Sequence, residues 1–410
     1  MKRMVYFVLA VVFLFTLVNP GFANSNSIHS SGVENSKQTA NKLSVNFYDR
    51  SLDLNSLQNE FGFMDTGQRS ITNFPENHLH EINNSIISGS VNEDTTWSMS
   101  YDSPIDEIGE LEVYDDYLFA SGEDFGFGNG HLFYYDGNSW FDTDFSTLIG
   151  VEVMEISALK TFNNRLYIGT KIYNDDNYYA RIYYYDGINY VQDFSTTNFY
   201  GYSGIEDMTI HNGDLYATNG SIGEVYRREN DNEWTTLVLS GGSPVRCLAS
   251  YNGTLYAGTG GQGDNAEVWF LNNESWSLLI NLSDEFNTSS DTVLNLSVAY
   301  NKLFASTGGP QSSSPIHIYD GSSWTTGTSI TGCNSAMMSI VNDELWIGSC
   351  NGIVMKYDNH NWTMMGNTGE LYNSHFKLFH NFIFVGTYGD GIIYSTEIQM
   401  VKMFLPLLLR

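Results

Sequence analysis

The sequence predicts an all-β fold, a seven-bladed β-propeller of four-stranded antiparallel blades. Three observations support this prediction. A strand-like motif of a large apolar residue, an aromatic residue, a smaller apolar residue and then Gly, Ser or Thr recurs at intervals of about 44 residues. An aromatic residue that follows a polar turn recurs roughly 20 residues after the motif. The chain is also 15% aromatic with 38 glycines among 410 residues, which suits short strands and tight turns better than helices.

The two landmarks mark the strands of each blade. The strand motif begins at Leu118, Leu166, Leu215, Leu255, Leu303, Leu345 and Ile383. The aromatic landmark is Trp97, Trp140, Tyr190, Trp234, Trp276, Trp324 and Trp362. Asp-Gly, Asn-Gly and Asn-rich turns precede these landmarks, and such pairs supply the positive φ angles of hairpin turns. Each repeat therefore predicts four strands, called a to d, with tight a–b and c–d turns and longer b–c and d–a connections. The fixed place of the aromatic landmarks predicts that they pack between neighbouring sheets.

The ends of the repeat array predict how the ring closes. No aromatic landmark follows the last strand motif, at Ile383, whereas Trp97 has the landmark pattern with no strands a to c before it. The N-terminal strand around Trp97 is therefore expected to be the fourth strand of the seventh blade, where it covers an otherwise open edge. The alternative gives this position to residues 401–409.

The repeat layout resembles two families of propeller. Asn-Gly-x-Leu-Tyr followed by Tyr-Asp-Gly-x-x-Trp is similar to kelch-type blades, and the stretch from Leu345 to Val354 is similar to the blades of bacterial two-component-regulator propellers. The resemblance covers residues 92–398. The resemblance implies the fold and a binding function, and it implies no particular enzymatic activity.

The ends of the chain predict export. Lys2 and Arg3 precede an apolar run from Met4 to Val18, and small residues follow at Gly21 and Ala23, so residues 1–23 are predicted to be a signal peptide. Residues 24–91 are rich in Ser and Asn and are predicted to be a mostly disordered leader. Residues 92–398 form the propeller, and 399–410 are a short apolar C-terminal tail that is too short to span a bilayer. A secreted, extracellular protein without a membrane span in its mature chain is expected.

The net charge of the chain excludes one class of partner. The chain has 47 Asp and Glu against 18 Lys and Arg, a net charge of −29, which repels phosphate backbones and excludes nucleic acid as a partner.

Cys333 and Cys350 flank the predicted turn Asn342-Asp343, and an exported protein meets an oxidising compartment, so we expect a disulfide between them. Cys247 is then left as a buried free thiol.

The longer connections predict where a ligand binds. The b–c and d–a connections, among them the predicted connection from Lys171 to Tyr179, lie on one face of a propeller, called here the loop-rich face. Function concentrates in variable loops on a rigid scaffold. Clustered carboxylates and aromatic rings there predict glycan binding, and the carboxylates could also hold Ca²⁺; no other cofactor is expected. The candidate ligand-binding residues are Glu123, Asp124, Phe125, Phe127, Asp175, Asp176, Tyr178, Tyr179, Tyr200 and Tyr202. The competing interpretation is ordinary solvated loops.

No catalytic motif stands out in the sequence. Zincin histidine pairs, serine nucleophile elbows and phosphate-cradling loops are absent from it. The sequence therefore favours a secreted, non-enzymatic binding propeller that recognises an extracellular glycan or protein through its loop-rich face. The alternative is a secreted carbohydrate-active enzyme, a polysaccharide lyase or glycoside hydrolase that uses carboxylates on the same face.

Overall fold

The computed structural model describes one β-rich unit of the chain. It describes residues 95–398 except 126–127, 175–176, 197–202, 240, 242, 262, 310–312, 332, 334 and 370–371. The chain divides into two units, residues 1–63 and 64–410, and every described residue belongs to the second. The predicted signal peptide at 1–23, the leader at 24–91 and the tail at 399–410 lie outside the described residues, so those predictions stay predictions.

Seven four-stranded antiparallel sheets follow one another around a single axis, which confirms the predicted all-β, seven-bladed propeller. The first strand, β1 (Ser98–Asp102), belongs to the last blade. Blade 1 contains β2 (Glu107–Tyr114), β3 (Tyr117–Asp124), β4 (Asn129–Tyr135) and β5 (Trp140–Asp142). After helix α1 (Phe145–Ile149), blade 2 contains β6 (Val153–Phe162), β7 (Arg165–Asn174), β8 (Asn177–Tyr185) and β9 (Tyr190–Ser195). Blade 3 contains β10 (Ile205–His211), β11 (Asp214–Asn219), β12 (Glu224–Asn230) and β13 (Glu233–Val238).

The remaining four blades repeat the same order of strands. Blade 4 contains β14 (Val245–Tyr251), β15 (Thr254–Thr259), β16 (Glu267–Asn272) and β17 (Ser275–Asn281), and helix α2 (Leu282–Glu285) follows. Blade 5 contains β18 (Thr292–Ala299), β19 (Lys302–Gly308), β20 (Ser313–Tyr319) and β21 (Trp324–Thr331). Blade 6 contains β22 (Ala336–Val341), β23 (Glu344–Ser349), β24 (Ile353–Tyr357) and β25 (Trp362–Asn367). Blade 7 contains β26 (Asn373–Phe379), β27 (Phe382–Thr387), β28 (Ile392–Glu397) and β1.

Strand β1 closes the ring as the sequence predicts. It pairs antiparallel with β28, from Ser98 opposite Ser395 to Asp102 opposite Ile392. Trp97, directly before β1, is buried in the apolar cluster between blades 6 and 7, and its indole N–H donates to the carbonyl oxygen of Met365 at 2.8 Å. The two ends of the propeller are thereby held in one sheet.

The innermost strands surround the axis and pack closely. Strand a of each blade contacts strand a of the next, including the closing contact between blades 7 and 1. Glycine in strand b permits this approach, because a Cβ atom on Gly169 would lie 2.5 Å from a methyl carbon of Ile205, in the next blade's strand a. The first residues of the strands a therefore meet at one axial opening on the loop-rich face.

The repeated turn and its aromatic residue have structural roles. The Asp136 carboxylate accepts the backbone N–H groups of Asn138 and Ser139, both at 2.8 Å, and Asp186, Asp320 and Asp358 repeat this arrangement. These hydrogen bonds lower the pKa of the four carboxyls, that of Asp320 to about 2. The landmark aromatic then stacks on the tyrosine that ends strand c, at 5.1 Å between the ring centroids of Trp140 and Tyr135.

Two features of the connections differ from the prediction. Residues Lys171 to Tyr179 were expected to form a long connection, but β7 continues to Asn174 and β8 begins at Asn177, so that Tyr178 and Tyr179 lie on a strand. The Tyr-rich sequence extends the hairpin because aromatic residues favour cross-strand pairing. The helices α1 and α2 occupy d–a connections that the repeat pattern treated as loops.

The cysteines occupy the inner part of blade 6 and the core of blade 4. The structure has a disulfide between Cys333, just before β22, and Cys350, just after β23, with Cα atoms 5.5 Å apart. Cys247 on β14 is a buried free thiol.

Candidate functional site at the axial opening

Charged side chains from several blades converge on the axis at the loop-rich face. A cavity of about 110 Å³ lies between the strands a, and its lining includes Glu107, Glu110, Glu123, Glu155, Glu206, Asp207, Arg246 and His375. We divide the charged residues at this opening into two tiers. The outer tier, near the loop-rich face, comprises the lining residues Glu107, Glu123, Glu155, Glu206 and Arg246 together with Lys171, which pairs with Glu155. The inner tier comprises Glu110, Asp207 and His375. The outer tier lies at the ends of β2, β3, β6, β7, β10 and β14 that border the longer connections.

The cations of the outer tier are held by two of its carboxylates. The Lys171 ammonium lies 2.5 Å from an oxygen of Glu155, and both side chains are largely buried. The Arg246 guanidinium lies 3.8 Å from the Glu206 carboxylate and donates through Nε to the carbonyl oxygen of Gly260 at 3.2 Å. The tier thus contains four carboxylates and two cations, a formal excess of negative charge.

This excess shows in the protonation behaviour of Glu123. Burial is the main cause that raises its pKa well above the usual range, and the carboxylates of Glu155 and Glu107 raise it further against the opposing effect of Lys171. Burial alone would lower the pKa of Lys171, but Glu155, Glu206 and Glu123 outweigh burial, so its pKa is raised and it stays charged. The outer tier therefore favours additional positive charge, either a proton or a cationic group.

The inner tier continues the acidic lining towards the centre. Burial raises the pKa of Glu110 and of Asp207. The His375 ring lies 3.4 Å from the Glu110 carboxylate, and Asp207 accepts the backbone N–H of Leu248 at 2.7 Å. The axis is therefore lined by carboxylates over two successive levels.

The structure brings only part of the predicted site together. Glu123 lies in the outer tier, and Asp124 ends the same strand. Phe125 is exposed beside the opening, with its ring centroid 4.7 Å from that of Tyr388 in blade 7. Tyr178 contacts Tyr173 and Tyr179 lies near the Arg181 guanidinium; neither tyrosine lines the cavity. Phe127, Asp175, Asp176, Tyr200 and Tyr202 lie outside the described residues.

Sequence reasoning missed most of the outer tier, although a weak signal was present. Glu107 and Glu155 each stand eleven residues before the strand motif of their blade, and Glu206 and Arg246 each stand nine residues before theirs. Charged residues therefore stand near the start of strand a in four successive repeats, at one offset in blades 1 and 2 and at another in blades 3 and 4. Only alignment of the repeats on the strand motif would have separated these residues from the other carboxylates.

Two further observations concern metals and membranes. In the part of the chain that the structure describes, no group of three or more His, Cys, Asp or Glu side chains is placed to hold a metal ion. The predicted Ca²⁺ stays a prediction, since Asp175 and Asp176 are not described. Among the described residues, no helix has the length and apolarity needed to cross a bilayer.

The Glu123→Gln variant is expected to melt a few degrees above wild type near about pH 8 and to match it near about pH 4. A carboxyl with a raised native pKa binds its proton more tightly in the folded than in the unfolded chain, so native stability falls as pH rises from the ordinary carboxyl pKa through the raised one. Glutamine mimics the protonated form and removes this loss. Thermal unfolding followed by circular dichroism across this pH range measures the effect; a variant that melts below wild type at the higher pH would contradict it.

Several solved structures are similar to the chain. A catalytically inactive variant of virginiamycin B lyase from Staphylococcus aureus, crystallised with quinupristin, is 12% identical with a TM-score of 0.55 over 74% of this chain and 99% of that one. A chain of the mitotic checkpoint complex is 13% identical with a TM-score of 0.53 over 76% and 97%. BBS1N, in complex with ARL6DN, is 11% identical with a TM-score of 0.51 over 75% and 98%. The chain is a seven-bladed β-propeller.

At these identities the likeness shows the fold alone, because propellers support many unrelated functions. No protein-family model matches the chain, and no curated protein does. The function has to be argued from the residues of the propeller's own site.

Proposed function

We propose that the chain is a secreted, non-enzymatic binding propeller. It binds a basic segment of a protein partner at the axial opening of its loop-rich face. The observation that carries this proposal is the outer tier, in which four largely buried carboxylates from three blades oppose two cations. A lysine or arginine side chain of a partner would supply the positive charge that the tier lacks.

The electrostatics favour such a ligand over an anionic one. Charge interactions strengthen where water is partly excluded, so an ammonium or guanidinium group at the opening interacts with several carboxylates at reduced screening. A net charge of −29 attracts basic segments at a distance and speeds their association. Anionic polymers are repelled by the same charge.

Aromatic rings beside the opening add a second kind of contact. Phe125 and Tyr388 lie against each other at the junction of blades 1 and 7, next to Glu107, which forms a backbone bridge with Tyr388. A cationic side chain that passes over such rings gains a cation–π contribution. An exposed aromatic next to buried carboxylates fits a basic peptide better than it fits a free metal ion.

Export and family type belong to the same proposal. The apolar run after Lys2 and Arg3 supports secretion, and the disulfide between Cys333 and Cys350 suits an oxidising compartment. The repeat layout supports a kelch-like or two-component-regulator type of propeller. Both families imply binding, which agrees with a site built from charge and shape.

A labelled oligolysine peptide is expected to bind wild type, and the double variant Glu123→Gln, Glu206→Gln is expected to bind it about tenfold more weakly. Each substitution keeps the side-chain volume and removes one of the carboxylates that face the cation. Affinity is also expected to rise with pH as Glu123 ionises, and to fall with added salt because salt screens the interaction. Fluorescence anisotropy measures these affinities, with a labelled oligoglutamate as the peptide of opposite charge.

The matched control is the double variant Glu397→Gln, Asp214→Asn, which removes two exposed carboxylates; Asp214 begins β11 after the tight a–b turn. Glu397 ends β28 on the face of the tight turns, opposite Phe382, and therefore lies away from the axial opening. This control is expected to bind oligolysine as wild type does. Equal losses in the control and in the axial double variant would mean that net charge alone binds the peptide, and the axial site would be wrong.

The enzyme alternative is favoured by one observation, the raised pKa of Glu123 beside Glu155 and Glu107. A carboxyl whose pKa is raised by burial and by neighbouring carboxylates is one feature of a glycoside hydrolase. Incubation of wild type with polysaccharides, followed by assays for new reducing ends and unsaturated ends, separates the two functions. Turnover that disappears in Glu123→Gln would replace the binding proposal with an enzymatic one.

A further inference from the structure

A second opening, independent of the proposed function, lies between blades 1 and 2 at the face of the tight turns. It is a cleft of about 650 Å³, within the roughly 300–1,000 Å³ of small-molecule sites. Its lining includes Tyr114, Tyr117, Tyr134, Asp142, Tyr185 and Tyr190. Five of these residues are tyrosines that the sequence analysis left out of every site.

The outer strand of blade 1 ends at one border of the cleft. Strand β5 has three residues, whereas the fourth strands of the other blades have five to eight. After Asp142 the chain turns into α1, whose Leu148 borders the cleft instead of continuing the sheet.

The next junction around the ring shows how a similar space is filled. Arg165 begins strand b of blade 2, as Tyr117 begins strand b of blade 1. The Arg165 guanidinium lies 4.1 Å from the centroid of the Tyr184 ring and donates to Asp231 of blade 3 at 2.8 Å. Tyr184 pairs across the sheet as Tyr134 does in blade 1. An arginine therefore spans the junction of blades 2 and 3, while a tyrosine leaves the junction of blades 1 and 2 open.

The rings of the cleft form a floor and a wall. Tyr134 is half-buried on the floor, and the Tyr117 ring stands nearly perpendicular to it with the ring centroids 5.6 Å apart. Tyr117 is 40% exposed and Ile188, on the opposite side, is 84% exposed. An exposed ring fixed at its edge by another ring offers a rigid apolar surface, which a ligand can cover at little cost in side-chain entropy.

The polar lining accepts hydrogen bonds and repels anions. One oxygen of the Asp142 carboxylate lies 2.9 Å from Nδ1 of His131, and the other accepts the backbone N–H of Asp144 at 2.9 Å. Each oxygen can accept a further hydrogen bond. Asp115 and Asn189 are exposed at the rim. Among the residues that line the cleft, all of them described, the charged ones are both carboxylates.

We propose that this cleft binds a neutral glycan, with the apolar face of a pyranose ring stacked on Tyr117 and its hydroxyl groups donating to Asp142. A pyranose has an apolar C–H face and a rim of hydroxyl donors, which matches an aromatic wall beside fixed acceptors. Uronic, sialic and sulfated sugars bring a negative charge beside Asp115 and Asp142 and are disfavoured.

Isothermal titration calorimetry with a panel of neutral hexasaccharides, and with oligouronates of matched length, tests this proposal. At least one neutral hexasaccharide is expected to bind wild type, and Tyr117→Ala is expected to weaken it about tenfold. Tyr117→Arg, which places at this junction the residue that fills the next one, is expected to abolish binding. Both variants are expected to bind oligolysine as wild type does, so this test is separate from that of the axial site.

The matched control is Phe382→Ala. Phe382 begins strand b of blade 7, as Tyr117 does in blade 1, and is also 40% exposed, but it lies outside the cleft. Retained binding in this control, with loss in both Tyr117 variants, would support the cleft. Three outcomes would overturn it: binding of none of the neutral sugars, preference for the oligouronates, or equal affinities of wild type and Tyr117→Ala.

Discussion

Deletion of residues 1–101 is expected to destroy the stable monomeric propeller, whereas deletion of residues 1–90 is expected to leave it intact. The longer deletion removes Trp97 and all but one residue of β1, so β28 becomes an open strand edge and the cluster between blades 6 and 7 loses its indole. Loss of a buried tryptophan alone costs about 3–5 kcal/mol, a large share of the roughly 5–15 kcal/mol by which folded domains are stable.

Size-exclusion chromatography and thermal unfolding of both deletion products measure this effect. The single variant Trp97→Ala is the graded comparison, because it keeps the strand pairing and removes the indole and its hydrogen bond to Met365. We expect it to remain a monomer with a clearly lower melting temperature. A stable monomer from the longer deletion would give the closing position to the C-terminal tail, the alternative that the sequence also allowed.

The ring could be predicted because its signals are local and repeated. The a–b turns place residues such as Asn163 and Asn164 at positive φ, a conformation that asparagine tolerates better than most residues. In three c–d turns a glycine takes the positive φ angle, at Gly137, Gly187 and Gly321, and an aromatic residue follows each of these turns. The closing strand could be predicted as well, because the number of aromatic landmarks matches the number of strand motifs only when Trp97 is assigned to the last blade.

The axial site could be predicted only in part, because it depends on how distant repeats meet. Glu123, Glu155 and Glu206 are far apart in sequence, and their approach follows from the radius of the ring. The charge state of Glu123 depends further on its burial near Lys171, a residue that the sequence placed in a loop and the structure places on β7. The cleft was missed for a different reason: its tyrosines belong to two neighbouring blades, and the repeat pattern assigns such aromatic residues to packing between sheets.

Asp193 shows how one buried carboxylate can hold a junction between two blades. It lies on β9 with its side chain fully buried, and the Arg228 guanidinium of blade 3 donates to it through Nε at 2.8 Å. It also accepts the indole N–H of Trp234 at 3.1 Å and the backbone N–H of Asn232 at 2.9 Å. Three donors from blade 3 are therefore satisfied by one side chain from blade 2.

Asp193→Ala is expected to lower the free energy of unfolding by about 3–5 kcal/mol, because it leaves a largely buried guanidinium without this partner and two further donors unsatisfied. The control is Asp231→Ala, which removes a carboxylate that pairs with Arg165 and Arg228 but is 54% exposed, and which is expected to cost about 0–1 kcal/mol. Urea unfolding of wild type and both variants, followed by tryptophan fluorescence, gives the midpoints. A midpoint for Asp193→Ala as high as that of Asp231→Ala, with both close to wild type, would mean that water reaches Arg228 when Asp193 is removed and would contradict this role of Asp193.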